Sequence, residues 1–339
     1  MAVCTKGWRV ATVQSSVFVE MAPFRIEPLF VGRVWGWNDL RPWYDRVAAS
    51  DPIGEVWLTG DECKIATGPH AGKTLGKVFK EAPQAMIGNE AAGSDSPLLI
   101  KVLFAREKLS VQVHPDDCLA QKYGQPRGKT ECWYALAAEP DAKVALGLKQ
   151  GITMDQIKSA IADGSLESDL NMLPVRQGDM ILVQAGTVHA IWPGSVLLET
   201  QQNCDLTYRM YDYGRGRELH IEKSLEAARL ATNAGKVAPR PLNDRVVLLE
   251  TEYFCIERIP VEVSRSSTSL RSPGESKTGL AYLFAAAGCG RLASPSFGSV
   301  DLPERGIVAV PATSPVFAVQ DLGGLDLIRI TPRCPGRNV

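Results

Sequence analysis

The chain has only four histidines, at positions 70, 114, 189 and 220, so any site built on imidazole has few members to draw on. In the stretch LSVQVHPDD, Gln112 and His114 stand two apart in an alternating segment, and on a strand both side chains leave the same face. Glu131 opens the apolar run ECWYALA, where a carboxylate is costly to bury unless it is paired or coordinated. His189 follows QAGTV, a turn-like step after DMILVQ, and sits at the mouth of the next expected strand. Gln112, His114, Glu131 and His189 together make a mixed nitrogen and oxygen donor set suited to Zn²⁺, with Mn²⁺, Co²⁺ or Fe²⁺ also matched by ligand type. Lys129 lies two residues before Glu131, so an extended chain there turns both side chains into one cavity.

Two segments imitate a phosphate loop. GPHAGKT (68–74) and GQPRGKT (124–130) both end in GKT, but each has three residues between its glycines where the nucleotide motif requires four, and neither follows a buried parallel strand. They read as Gly-Lys turns.

The elements that must hold the donor set are strands. Short runs rich in Val, Ile, Leu and aromatics recur between Gly, Pro, Asp and Asn, as in FRIEPLFVGRVWG, IGEVWL, PLLIKVLF, AKVALGL, SVLLETQQ and DLTYRMYD. Helical spacing is confined to 72–82, 153–164 and 220–231, so the expected class is mainly β, a sandwich or jelly roll with a few short helices. The polar segment KVAPRPLND (236–244) reads as a connection, which divides the chain into 21–240 and 245–339, and the first 20 residues read as a loose N-terminal extension. The strand rhythm resumes after the connection. GDMILVQAGTVHAI overlays RGIVAVPATSPVFAV with His189 on Val316, so the second β unit is expected to be free of metal.

With 339 residues, 45% apolar and 22% charged, the chain can bury a large core. Thirty-seven basic against 38 acidic side chains leave a formal charge of −1, which provides no field for a nucleic-acid backbone. No apolar stretch approaches the roughly 20 residues of a membrane helix. The eight cysteines form no CxxC pair, and a cytoplasmic chain with reduced thiols is expected.

The pieces SPLLIKVLFAREKLSVQVHPDD, GKTECWYAL, QAGTVHAI and ETQQNCDLTYRMYDYGR resemble the type I mannose-6-phosphate isomerases, or phosphomannose isomerases, zinc enzymes of the cupin superfamily. The resemblance covers roughly residues 24–230 and points to the short bacterial form without a large helical insertion. It implies two cupin-like jelly-roll domains, the catalytic one first, and one Zn²⁺ per chain on Gln112, His114, Glu131 and His189. It places Lys101, Lys129, Asp205 and Arg209 among active-site residues and Trp35 beside the cleft. Lys101, Lys129 and Arg209 would share the sugar phosphate, with Lys129, Arg209 and Asp205 in catalytic roles. Asp205 and Arg209, four apart, would pair or bracket the sugar. The base is open between Asp205, a lysine of lowered pKa and a metal-held water. The implied reaction interconverts mannose 6-phosphate and fructose 6-phosphate through an enediolate, by a monomer or homodimer. A metal-dependent cupin oxygenase and a non-catalytic sugar-phosphate-binding bicupin are the alternatives. Two positions depart from the family: Gln184 replaces the proline usual before the metal-binding histidine, and Gly128 stands where longer members carry a histidine.

Overall fold

The apolar runs are strands in the computed structural model, which describes residues 20–88, 95–261, 268–269 and 279–333. Most of the 20-residue N-terminal extension thus lies outside the described residues. All pairings between strands are antiparallel. One sheet has seven strands in the order Gly235–Val237, Met180–Val183, Glu131–Ala138, Ser195–Gln202, Leu98–Phe104, Ile53–Trp57 and Leu29–Trp37. Facing it is a five-stranded sheet in the order Tyr208–Tyr211, Val111–Val113, His189–Ile191, Lys143–Leu148 and Leu170–Pro174. A second seven-stranded sheet and a four-stranded sheet form the C-terminal sandwich. The protein is mainly β with a few short helices, as its punctuation by turn residues implies.

Side-chain parity explains why the strands of the first large sheet read as unbroken apolar runs. Leu103, Trp133, Ile181 and Leu197 point into the first sandwich. Their neighbours Val102, Phe104, Cys132, Tyr134 and Leu198 point the other way, into a core shared with Tyr282, Phe284, Ile328 and Ile330 of the C-terminal sheet. The sheet is therefore covered on both faces, and alternation between polar and apolar positions is erased along Leu98–Phe104 and Ser195–Gln202, which are buried throughout.

The helices close the outside. Met154–Asp163 begins with a capping box of Thr153 and Gln156, ends on the left-handed Gly164, and lays Ile157 and Ile161 on the outer face of the five-stranded sheet. The helix expected over 72–82 is Leu75–Glu81, capped by Thr74, and Lys73 of the first GKT pairs with Glu81 at 2.8 Å. The one expected over 220–231 stops at Ala227, because Ala228 turns extended and the Arg229 amide bonds Gly186 O instead of continuing the helix. Two short helices, Pro83–Ile87 and Asp117–Lys122, fall below the length at which periodicity is visible. Among the described residues no helix is long and apolar enough to cross a membrane.

Two departures concern how the halves join. The polar connection is not a free linker: Gly235–Val237 completes the first large sheet and Arg240–Pro241 starts the second, so only two residues lie between them. The strand Phe24–Ile26 also belongs to the C-terminal sheet, where Phe24 pairs with Ala309 and Ile26 with Ile307. Val316, aligned by sequence with His189, is 59% exposed and precedes the strand Ala318–Asp321, whereas His189 opens its strand and is buried. The overlay fails because the turn lengths before the two strands differ, and Val316 occupies no position equivalent to an interior ligand.

Phe104 is fully buried between the two large sheets and meets Trp37, Trp43 and Tyr44 edge-on. Phe104→Ala should cost about 3–5 kcal/mol, read from the urea midpoint, while Val316→Ala should move it by less than about 0.5 kcal/mol. Equal effects would contradict this placement of the core.

Candidate active site

Three buried side chains from both sheets of the first sandwich converge. Ligand atoms of His114, Glu131 and His189 all lie within 4.8 Å of one another. Glu131 Oε2 is 3.4 Å from His114 Nε2, and Glu131 Oε1 is 3.5 Å from His189 Nε2. The sheet register brings the two histidines together, since His189 lies directly across from Gln112, two residues before His114, on the neighbouring strand. Gln112 Nε2 is 3.2 Å from His189 Nε2, while its Oε1 accepts from the Ser110 hydroxyl at 3.3 Å.

The hydrogen bonds at the back of each ring fix which nitrogen faces the centre. His114 Nδ1 lies 3.1 Å from Leu206 O and His189 Nδ1 lies 2.9 Å from Thr187 O. A carbonyl only accepts, so Nδ1 carries the proton in both rings and Nε2 presents a lone pair to Glu131. Burial also disfavours a second proton: it is the main cause holding His114 down at about 3, with Lys129 adding to it, and it lowers His189 as well. Burial would raise Glu131, but the Lys129 ammonium beside it outweighs burial and keeps the carboxyl well below its ordinary range. Neutral imidazoles beside an ionised carboxylate are the protonation states a divalent cation requires. Glu131 Oε2, buried and without a well-formed hydrogen bond, has capacity left for one. The donors therefore fit a metal.

Above the triad opens a cavity of about 490 Å³. Gln112 and Lys129 belong to both, lining the cavity and touching the triad: Lys129 Nζ is 3.2 Å from Glu131 Oε2 and 3.2 Å from His114 Nε2. Trp35, Lys101, Asp205 and Arg209 line it too, so the sequence-derived residues are gathered in one place. Lys101 is not solvated. It is 3% exposed, 3.2 Å from Glu199 and 3.6 Å from Glu55, and these carboxylates raise its pKa against the effect of burial. Asp205 and Arg209 bracket the cavity, with Arg209 Nη1 donating to Glu218 O at 2.7 Å. Arg209 Nε is buried with no partner, and burial, followed by Arg217, lowers the pKa of the guanidinium.

Sequence reasoning missed Arg33, Glu55, Ser110, Glu199 and Arg217 in the same lining. Ser110 was accessible by parity, two residues before Gln112. Glu199 carried the signal that exposed Glu131, a carboxylate inside an apolar run, and its register opposite Lys101 and Trp133 puts it on the interior face. Burial, with Glu131 nearby, pushes its carboxyl up to about 7, against Lys101. Arg217 lies past the last strand of the sheet and has no periodic signal; it is held there by Asp212.

Both family departures have local explanations. At Gly128 an added Cβ would come within 2.5 Å of the Asp116 carbonyl carbon and 2.6 Å of Pro115 O, so the segment passes too close to that backbone for any side chain. The turn before His189 forms without proline: Thr187 N donates to Gln184 O, Gly186 takes φ of +87°, and the Gln184 side chain accepts from Asn233 N at 3.1 Å.

Residues 24–155 match the family described as phosphomannose isomerase type I, catalytic domain. The probable mannose-6-phosphate isomerase GmuF of Bacillus subtilis is 36% identical over 249 residues, 69% of this chain and 78% of that protein. The mannose-6-phosphate isomerase of Streptococcus mutans is 34% identical over 68% of this chain and 78% of its own length. The crystal structure of the mannose 6-phosphate isomerase from Bacillus subtilis superposes with a TM-score of 0.79 at 28% identity, covering 91% of this chain and 99% of that one. A phosphomannose isomerase variant from Salmonella typhimurium shares the fold at a TM-score of 0.75 and 16% identity. With its catalytic-domain match, its relatives above 30% identity and the same two sandwiches, this chain belongs to the type I phosphomannose isomerase family.

Proposed function

We propose that the protein interconverts mannose 6-phosphate and fructose 6-phosphate through an enediolate, with Zn²⁺ held by Gln112, His114, Glu131 and His189. The observation that carries the reading is the buried His114–Glu131–His189 triad, its imidazoles neutral and aimed inward, directly beneath a cation-lined cavity. When bound, the metal supplies electrophilic stabilisation to the sugar oxygens on which charge develops.

The side chains divide the remaining work. Isomerisation takes a proton from C2 and returns one to C1, while a hydroxyl proton passes between the two oxygens. Glu199 lines the cavity, and burial raises its carboxyl above the ordinary range, so it can accept the carbon-bound proton in one direction and return it in the other. Lys129 and Arg209 place positive charge beside the developing oxyanion, and the unpaired Arg209 Nε has a donor left for the substrate. Lys101 keeps Glu199 and Glu55 oriented and shares in substrate binding, and Trp35 walls the cavity against water. Asp205 completes the polar rim. The sugar phosphate is the partner this lining suits. Residues 245–339 serve as a unit without a metal of their own, packed against the catalytic sandwich. Six described cysteines stand free, which supports a cytoplasmic setting.

His114→Ala and His189→Ala should each lose bound metal and isomerase activity, measured by elemental analysis of the purified chain and by a coupled assay with mannose 6-phosphate. Full metal occupancy in the double variant would remove the ligand assignment. Lys129→Met and Arg209→Met should retain metal but turn over about a hundredfold more slowly; near-unchanged kcat and KM in both would place these cations outside the working site. Glu199→Gln, nearly isosteric, should lower kcat at least about a hundredfold with KM little altered. An unaffected kcat in that variant would leave the proton transfer to another group.

A further inference from the structure

Among the described residues the C-terminal sandwich contributes no side chain to the lining of the cavity, yet one of its residues reaches the segment that carries Lys129. Tyr253 stands at the entry of the strand Phe254–Ile259, where its carbonyl accepts from Arg333 N and its amide donates to Thr251 Oγ1. Its hydroxyl donates to Asp117 Oδ2 at 3.1 Å. The other oxygen of Asp117 accepts from Gly128 N at 2.7 Å and from Gln202 Nε2 at 3.0 Å. Gln202 in turn uses Oε1 to accept from Thr130 N at 2.8 Å, and Lys129 N donates to Pro115 O at 3.0 Å. Three consecutive amides, at 128, 129 and 130, are thus clamped.

We propose that Tyr253 is a positioning residue for Lys129, acting through the Asp117 carboxylate that grips the backbone on both sides of it. This rests on the role given to Lys129 above. Turning the Asp117 carboxylate about its last torsion would break both bonds to Oδ1, and the phenol on the second oxygen adds a third restraint against that turn. The clamp needs to be tight because Lys129 is buried and has a short reach: its ammonium must stay between Glu131 and His114 while still facing the cavity. Gly128 has no side chain to anchor the segment and no room for one, so the hold must come through its amide. Tyr253 and Asp117 lie outside the cavity.

The test is Tyr253→Phe in the full, metal-loaded chain, which removes one hydroxyl and leaves the ring in place. The expected result is a kcat about tenfold lower with KM, metal content and thermal midpoint nearly unchanged, together with faster hydrogen exchange at the amides of 128–130. In the Lys129→Met background the same change should cost no further activity, since the group being positioned is gone. An unchanged kcat, or an equal tenfold loss in that background, overturns the proposal. Should the unsubstituted chain show no turnover of mannose 6-phosphate, the functional reading fails on its own. The exchange measurement then decides the tether, and unaltered exchange at 128–130 overturns it.

Discussion

A carboxylate buried to 1% exposure is the constraint around which this protein is arranged. Taking Glu131 out of water costs several kcal/mol by itself, and ions in that position are kept only when compensating charge and dipoles converge on them. Here Lys129 on the same segment supplies positive charge, while His114 at the end of a strand in the opposite sheet and His189 on the strand beside it aim lone pairs at the same point, where a held cation would complete the compensation. No local segment could supply all three. The charge therefore requires two sheets brought face to face in one register, and the sandwich supplies that.

The large sheet of the first sandwich separates wet chemistry from dry packing by parity alone. Lys101, Glu131 and Glu199 occupy inward positions, while Ile100, Val102, Cys132 and Leu198, one residue away, are sealed against the C-terminal sheet. A one-residue slip in register would exchange these sets, placing three ionisable groups in an apolar core. The C-terminal sandwich thus does more than add buried area. It makes the outward face dry and so gives the inward face its only register.

How much of this could be read from the chain alone follows from the range of each signal. Gln112 with His114 and Lys129 with Glu131 are pairs two apart, and parity in an extended strand is a short-range property, so their convergence was legible. That Trp35, Lys101, Asp205 and Arg209 surround one cavity came from likeness to a family, since nothing in their spacing brings four different segments together. Glu199 was as visible as Glu131 but less expected, being one carboxylate inside a longer apolar run. Tyr253, Asp117 and Arg217 gave no signal, because each matters through a partner far along the chain or through a turn whose path has no period. The failed overlay of His189 on Val316 has the opposite origin: similar strand patterns recur in any β protein, while turn length decides which residue faces inward.

The pairing of Phe24–Ile26 with Ile307–Ala309 has a consequence for how the polypeptide is made. The first described strand is an edge of the C-terminal seven-stranded sheet, so its partner leaves the ribosome only when synthesis is almost over. At about 5–20 residues per second it waits on the order of tens of seconds. From the completion of Gly235–Val237 until the C-terminal sheet is made, the catalytic sandwich has its outward face, including Phe104 and Val102, bare to the surrounding solution. The nascent chain is then most exposed to association with other chains just before completion, and the closing of the C-terminal sheet onto both its own strands and the N-terminal one ends that hazard in a single late event.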